Sequence, residues 1–498
     1  MKICINIATA VFAALLLVCL VSCGEVTKEP EETVDLTIPH KLTYVVNNRF
    51  AGRINGETEQ ILTGAELSSR VTAVEKDGYI FKGWSDGSTD FKRENDTITS
   101  DTTITAIFDY NVKNCPVIDI VTDDGRNIED KREYVGASLS VAHSDGGEYD
   151  LSPLAIKIRG RGNATWNMEK KSYRIKLSRR RNLLGIGEGP AKDWVLLANH
   201  CDQSLVRNIA AFDLGRRLPG IECSSGSALV NLYFNGRYQG VYHLCEQSQV
   251  DKYRVDVGDD GWMVELDMYA DGVQDLDWFS SGNRPYSVTY GGGSIDRVTE
   301  IHDYIRSCTN AIKSGEKSEI EKLIDIDSCI DMYLLHEYAK NIDVGWSSFF
   351  MYYRNGKLYF GPPWDFDLAF GNDHRLDNGS YEGIYVGENR GFDQGNRWFI
   401  MLFSNDWFKL MAAKRFFEVK PIIEDEIEYI TELSTNCRYD LAKNFQLWQI
   451  FGQRINQEPE HIMALSKQQD HAAYLIEWMK ARLSWLDGYF NQVLKTQQ

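Results

Sequence analysis

The hydrophobic period of the chain changes near residue 300, and this change constrains the fold more than any other feature. Before it, residues 111 to about 300 carry the runs VIDIVTDDG, LAIKIRGRGN, KSYRIKL, WVLLAN, ALVNLYFNGRYQGVYHLCE and WMVELD. Each is rich in β-branched or aromatic residues and lies between turn signals, as strands require. One helix is expected in this half, over 205–218, with Asp202 or Ser204 as its cap and Ile209, Phe212 and Leu218 at roughly helical spacing. Beyond residue 300, the segments 297–313, 326–342, 398–417, 421–437 and 470–494 place apolar residues every three to four positions, the helical period. A short strand pair, 348–354 and 357–361, joined by the hairpin dipeptide Asn355-Gly356, interrupts the helices. This order predicts an α+β fold with two lobes, a β-rich first half and a helical second half.

The 498 residues are enough for two or more domains with cores of their own. A formal charge of −18 argues against nonspecific nucleic-acid binding, which needs a basic surface, and no nucleic-acid partner is expected. At the N-terminus, Lys2 precedes an apolar run over 3–20 that leads into Leu20-Val21-Ser22-Cys23, the pattern of a secretory signal. A cysteine directly after Leu-Val-Ser resembles the lipobox of bacterial lipoproteins. That resemblance implies cleavage before Cys23 and lipidation of its thiol, with 1–22 as the signal peptide. Residues 23–39 read as an acidic tether without periodicity. Seven cysteines follow Cys23 with no CxxC among them, so neither a zinc site nor a disulfide framework is suggested. Most are expected as buried thiols.

Residues 40–110 read as a small β module. Its strand-like runs are LTYVV (42–46), VTAVEKDGYIFKGWSDG (71–87) and TTITAIF (102–108). GYIFKGWSDG followed by DTITSDTTITAIF resembles the internalin-type bacterial repeat, a small β-grasp-like module common on secreted bacterial proteins. The resemblance implies a spacer or adhesive role.

Chemistry is suggested by GPPWDFDLAFGND (361–373). On an extended chain Asp365 and Asp367 project to one face, with Phe366, Leu368 and Phe370 on the other. Two adjacent carboxylates suit a hard cation, since Mg²⁺ takes oxygen ligands and is usually held by one or two carboxylates plus substrate phosphates. Asp343 falls just after the expected 326–342 helix, and Asp365 just after the hairpin. Helix, loop carboxylate, hairpin, second carboxylate is the order used by protein kinases, where the first acid orients or deprotonates the acceptor hydroxyl and the second holds Mg²⁺. A D-x-D taken alone also suits a solvated strand end or a metal-dependent glycosyltransferase.

Four stretches in order extend this reading: IRGRGNATWNMEKKSYRIKL (158–177), DWVLLANHCDQSLVRN (193–208), LYFNGRYQGVYHLCEQ (232–247) and PPWDFDLAFGN (362–372). Together they resemble the CotH family, spore-coat-type atypical protein kinases found widely in secreted bacterial proteins, from about residue 115 to the C-terminus. The resemblance implies a two-lobed atypical kinase-like domain over 111–498 that uses ATP with Mg²⁺ or Mn²⁺. It implies that Lys171 contacts the ATP phosphates, with Lys176 as the alternative. By pleat alternation Lys171 shares a face with Tyr173 and Ile175, and Lys176 one with Ser172 and Arg174. The resemblance further implies that Glu246 pairs the lysine or contacts the metal, that Asp343 takes the catalytic-loop role, and that Asp365 binds the metal with Asp367 as a second candidate ligand. Trp364 is expected in the core, with a stacking role toward the nucleotide. GRGN (160–163) is too short for a phosphate-binding GxGxxG and reads first as a turn. Asp202, Arg207 and Asn208 read as a helix cap and buried polar links. One departure stands out. Ser347-Ser348 occupy the place where kinase loops carry a metal-binding asparagine, and a serine hydroxyl is the weaker magnesium ligand.

The expectation is a lipid-anchored, extracytoplasmic protein of the bacterial cell envelope, at the outer membrane or cell surface. It would transfer the γ-phosphoryl group of ATP to hydroxyls of secreted or surface proteins. The rivals are a non-catalytic surface binding or assembly protein, and another nucleotide-dependent transferase that moves a glycosyl or adenylyl group.

Overall fold

The computed structural model describes residues 35–272, 276–377, 379–388 and 396–496. The signal segment, Cys23 and most of the acidic tether lie outside the described residues. The chain divides into a small unit (Met1–Glu75 and Phe81–Phe108) and a large one (Lys76–Ile80 and Asp109–Gln498).

The small unit is all β. A four-stranded sheet orders Glu59–Leu62, His40–Val46, Thr102–Tyr110 and Tyr79–Trp84, with the middle pair parallel. A three-stranded sheet holds Gly52–Gly56, Val71–Glu75 and Lys92–Arg93. The expected run over 71–87 is two strands, because Gly78 adopts φ 90° and turns the chain between them. The aromatic signature forms the core: Phe81 packs edge-on to Trp84 at 5.8 Å and on Phe108 at 5.5 Å.

The large unit begins with seven strands: β1 (Val117–Thr122), β2 (Val135–Ala142), β3 (Leu151–Arg161), β4 (Ser172–Arg181), β5 (Ala191–Leu197), β6 (Ser227–Phe234) and β7 (Arg237–Glu246). They close into a barrel in the order β3-β4-β5-β7-β6-β1-β2. Alternate residues fill its interior, among them Ile118, Ile158, Ile175, Leu196, Leu232 and Leu244. Strands β5, β6 and β7 also carry Val195, Leu229 and Val241 outward into a second core. Burial on both faces explains why their sequences read as continuous apolar runs rather than clean alternation.

A five-stranded sheet follows, from β8 (Trp262–Leu266), β9 (Trp278–Ser281), β10 (Arg284–Tyr290), β11 (Phe349–Arg354) and β12 (Lys357–Phe360), in the order β9-β10-β8-β11-β12. The expected strand pair is therefore β11 and β12. It turns at Asn355 (φ 52°) and Gly356 (φ 85°), the left-handed pair that a two-residue hairpin needs.

The helices are α1 (Arg207–Arg217), α2 (Ile295–Ser314), α3 (Lys317–Leu323), α4 (Ile326–Ala339), α5 (Arg397–Phe403), α6 (Asp406–Asn436), α7 (Arg438–Leu447), α8 (Glu460–Met463) and α9 (Gln468–Thr496). The β-rich first half and helical second half are as the sequence suggests, but two helix boundaries differ. The expected 398–417 helix breaks at Ser404-Asn405, where the Asn405 amide donates back to the Met401 carbonyl at 2.8 Å. The expected start at Pro421 is absent, since α6 runs through it for 31 residues. Phe416, Val419, Ile423 and Ile427 keep one buried face in register across the proline, and that burial outweighs the lost N–H.

Candidate active site

The segment after β12 carries the acids, and it is a loop rather than the extended strand inferred from the D-x-D alternation. Asp365 has φ 64° and Phe370 φ 51°, both left-handed. What holds such a backbone is a set of buried polar links from the first turn of α1 and the segment just before it. Asn208 accepts the Phe366 N–H at 2.7 Å, and the Arg207 Nε donates to the Ala369 carbonyl at 3.1 Å. Asn372 donates to the carbonyls of Asp367 and Cys201, each at 2.8 Å. Arg207 is itself paired with the fully buried Asp202, whose other oxygen accepts the Arg207 backbone N–H at 2.9 Å at the start of α1. Asp202, Arg207 and Asn208 thus act as the buried links the sequence suggested, and they connect two of its four quoted stretches. Phe366 anchors the loop from below, fully buried under the His336 ring at 4.9 Å.

Asp343 comes from the loop after α4. That helix ends at Lys340, which turns left-handed (φ 46°) while its ammonium caps the carbonyls of Asp377, Ser380 and Glu382. Asn341 then ties the two acidic loops together: it accepts the Asp343 N–H at 3.0 Å and donates to the Asp365 carbonyl at 3.4 Å.

Asp343, Asp365 and Asp367 all line one cavity of about 520 Å³. Three further charged side chains from earlier in the chain join them. Glu265 and Asp267, two residues apart at the end of β8, face the same space, and Arg161 reaches in from the end of β3. The Arg161 guanidinium lies 5.4 Å from the ring centre of Trp364, which stacks on Phe212 at 5.2 Å. Trp364 is buried, as expected of a core residue, and also lines the cavity. The turn Arg161–Thr165 forms part of the cavity wall. Gly162 makes this turn at φ 105°, with the Thr165 hydroxyl filling the space a side chain would need.

The serines at the departure from the kinase pattern organise the acids. The Ser348 hydroxyl donates to Asp365 Oδ2 at 3.3 Å and its N–H to Glu265 Oε1 at 3.2 Å, while the Ser347 hydroxyl donates to Asp267 at 3.3 Å.

Crowding carboxylates in a half-enclosed space raises their proton affinity. Asp343 is pushed up to about 7, by burial first and then by the charge of Asp365, with Arg375 opposing. Glu265 is pushed up to about 8, by burial and then by Asp267. Asp367 is driven well above the usual carboxylate range by burial and by the charges of Asp365, Asp202 and Asp343. Asp365, although open to the cavity, is raised too. The surrounding protein strips water from it, while Arg161 and the Ser348 hydroxyl pull the other way. Burial and mutual charge thus favour the protonated form of all four acids. Among the described residues no three His, Cys, Asp or Glu side chains converge tightly enough to hold a metal alone. The donor set of Asp365 and Asp367 nevertheless fits Mg²⁺ or Mn²⁺, whose shell is ordinarily completed by phosphate oxygens and water.

The lysines and Glu246 lie elsewhere. Lys171 donates to the Trp166 carbonyl at 2.6 Å and sits 5.2 Å from that ring. Lys176 is exposed on β4, opposite Asp193 of β5. Glu246 is buried, accepting from the Gly226 N–H at 2.9 Å and from Arg254 at 3.2 Å. Ile175 pairs with Trp194 and Trp194 with Glu246, so Glu246 is level with Ile175, four residues along from Lys171. That spacing is roughly 13 Å. The structure therefore pairs Glu246 with Arg254, not with Lys171, and the cation lining the cavity from the barrel is Arg161. Arg161, Glu265 and Asp267 were missed from sequence. The E-x-D in WMVELD follows the same two-residue rule as D-x-D and was the available signal.

A family model described as CotH kinase protein matches residues 158–486, and one described as divergent InlB B-repeat domain matches residues 23–112. No curated protein matches the chain. The four ordered stretches, each of which supplies residues to the cavity, thus lie within a family match that covers about two thirds of the chain: it belongs to the CotH kinase protein family.

Proposed function

We propose that the chain is a metal-dependent phosphotransferase with a two-lobed kinase-like arrangement. In this reading it moves the γ-phosphoryl group of ATP to a hydroxyl of a secreted or surface protein. The observation that carries the reading is the convergence of Asp343, Asp365 and Asp367 in one cavity with Arg161 at its wall. Asp365 and Asp367 would hold Mg²⁺ or Mn²⁺. When bound, the ion neutralises phosphate charge and fixes the phosphoryl group in line. Asp343, with a proton affinity near neutrality, is suited to orient the acceptor hydroxyl and take its proton. Arg161, at the cavity wall, would contact phosphate. Lys171 would reach the nucleotide only by leaving the Trp166 carbonyl. Attachment through a lipidated Cys23 would hold the domain at the outer face of the cell envelope, with the repeat as spacer.

The test uses protein beginning at Gly24 with γ-labelled ATP and Mn²⁺ or Mg²⁺, beside Asp365→Ala. Label incorporated by the parent and lost in the variant supports the reading. No incorporation with either metal, together with no ATP-dependent rise in Tm, would falsify it. That result would leave a non-catalytic surface binding protein. This second reading draws on one observation: Ser347 and Ser348 are engaged with acids at the position where an asparagine would bind a second metal.

A further inference from the structure

The residues just before β1 run beside the corner where α6 passes into α7. Asp440, fully buried in the first turn of α7, accepts three successive backbone N–H groups from that segment: Lys113 at 3.1 Å, Asn114 at 2.8 Å and Cys115 at 2.9 Å. The Asn114 side-chain amide donates to the Asn436 carbonyl at the end of α6. On α7 itself, the Tyr439 hydroxyl meets Asn111 at 3.2 Å, and the Lys443 ammonium donates to the Asn111 carbonyl. From the barrel side, Asn231 of β6 donates to the Cys115 carbonyl at 3.0 Å. Hydrogen bonds to a buried carboxylate are among the strong ones, so this crossing of the two segments is held firmly.

Cys437 is the residue at which α6 ends and α7 begins. Its thiol and that of Cys115 are hydrogen-bonded to each other, although more than three hundred residues separate them in sequence. Both belong to the same hydrophobic core. The shared bond lowers the proton affinity of Cys437 and, together with burial, raises that of Cys115. Cys437 is therefore the thiol that ionises first. It is also the more open of the two, with 7% of its surface accessible against 2% for Cys115.

We infer that Cys115 and Cys437 are a modification site and form a disulfide bond that ties the entry to β1 onto the α6–α7 corner. The oxidant is a low-molecular-weight disulfide. The Cys437 thiolate attacks one of its sulfurs, that S–S bond breaks, and one half leaves as a thiolate. Cys115 then loses its proton to solvent and attacks the Cys437 sulfur, and the second half leaves. Two protein thiols are oxidised and one small disulfide is reduced to two thiols. The closed loop spans most of the barrel and the helices, and cross-links over long loops restrict the unfolded chain most. Such a bond persists outside the reducing cytosol, so its occurrence in the cell rests on the extracytoplasmic reading. It does not depend on phosphoryl transfer.

The test takes reduced, folded protein beginning at Gly24 and incubates it with hydroxyethyl disulfide. Remaining thiols are then alkylated in denaturant, and the chain is weighed and mapped by mass spectrometry without reduction. The expected result is alkylation of two fewer of its seven cysteines, with one linked peptide pair holding Cys115 and Cys437. The bridged chain should melt several degrees above the reduced one, and added reductant should remove that gain. Cys437→Ser should abolish both the link and the gain, whereas Cys223→Ser should leave both. Seven alkylated cysteines, a lasting mixed disulfide on Cys437, or a link between any other pair would overturn the inference. A bridge with no change in Tm would remove its stabilising role. The unsubstituted chain alone decides the pairing, so the result stands even if a serine variant does not fold. Neither outcome bears on whether γ-labelled ATP transfers its label.

Discussion

Strands β8 and β11 wall two cavities of opposite character. On one side Glu265 and Asp267 join Asp343, Asp365 and Asp367; on the other Leu266, Phe349 and Met351 sit with Arg284, Lys313 and Arg397. The separation needs nothing beyond the two-residue period of a strand. A sheet can divide charge this way only if both faces are covered, because an acid one register step out of place would be buried among apolar groups at large cost. The acidic face accumulates proton affinity that a cation would relieve. The apolar face accumulates packing. The difference teaches that electrostatic strain in this fold is confined to one side of a sheet whose other side supplies stability.

Substitutions can break this division one face at a time. The strongest effect is expected from Asp365→Asn, which should reduce phosphoryl transfer roughly 10²–10³-fold, the scale for losing one preorganised charge-stabilising group. Its fold should be intact, as read by circular dichroism. On the rear face, Met351→Ala should cost about 2–4 kcal/mol in denaturant unfolding, because Met351 is almost fully buried. It should leave the ATP-dependent shift in place. Loss of that shift would show that the faces are not independent.

The pH dependence sharpens the contrast. Asp343 and Glu265 have folded-state affinities raised to about 7 and about 8. Between about pH 4 and those values the folded chain holds more protons than the unfolded one, so stability falls as pH rises through that window. Without metal, Tm should drop by several degrees from pH 5 to pH 8, on the scale of about 2–4 °C per kcal/mol at domain sizes near 200 residues. Asp343→Asn should flatten the slope, and added Mn²⁺ should do the same. A rise in Tm over this range would contradict the assigned directions. The smallest effect belongs to Ser348→Ala. It removes the 3.3 Å bond to Asp365 and should cost about 0.5–1.5 kcal/mol, visible as roughly a two- to twelvefold change in rate.

The legible parts of this molecule were those in which neighbours in sequence decide. Asn355-Gly356 specifies a hairpin because both residues tolerate positive φ, and the turn forms as expected. Asp343 follows a helix whose apolar spacing places its end within three residues of where it lies. The acids Asp343, Asp365 and Asp367 meet, although Asp365 and Asp367 are aimed by a loop held by Arg207 and Asn208 rather than by strand alternation, and Asp343 by the loop after α4 that Asn341 ties to it. The cation that the barrel brings to the cleft was not legible. Lys171, Lys176 and Arg161 all lie in or beside strands of alternating pattern, and nothing local distinguishes them. The choice depends on which strand end opens at the cavity, and that belongs to the closed barrel as a whole. Pro421 misled for a similar reason, since a local cost was set against burial along a helix of 31 residues.

By itself the sequence determined the kinds of element and their order, because hydrophobic period and turn chemistry act over a few residues. It also determined that an acidic pair would lie in a segment too apolar to be solvent-exposed throughout. Tertiary structure alone decided that Glu265 joins Asp365, that Glu246 is spent on Arg254, and that three cations border a cavity behind the acids. Those groupings draw on residues tens to hundreds of positions apart, and their energies depend on burial and distance, which exist only once the chain has closed on itself.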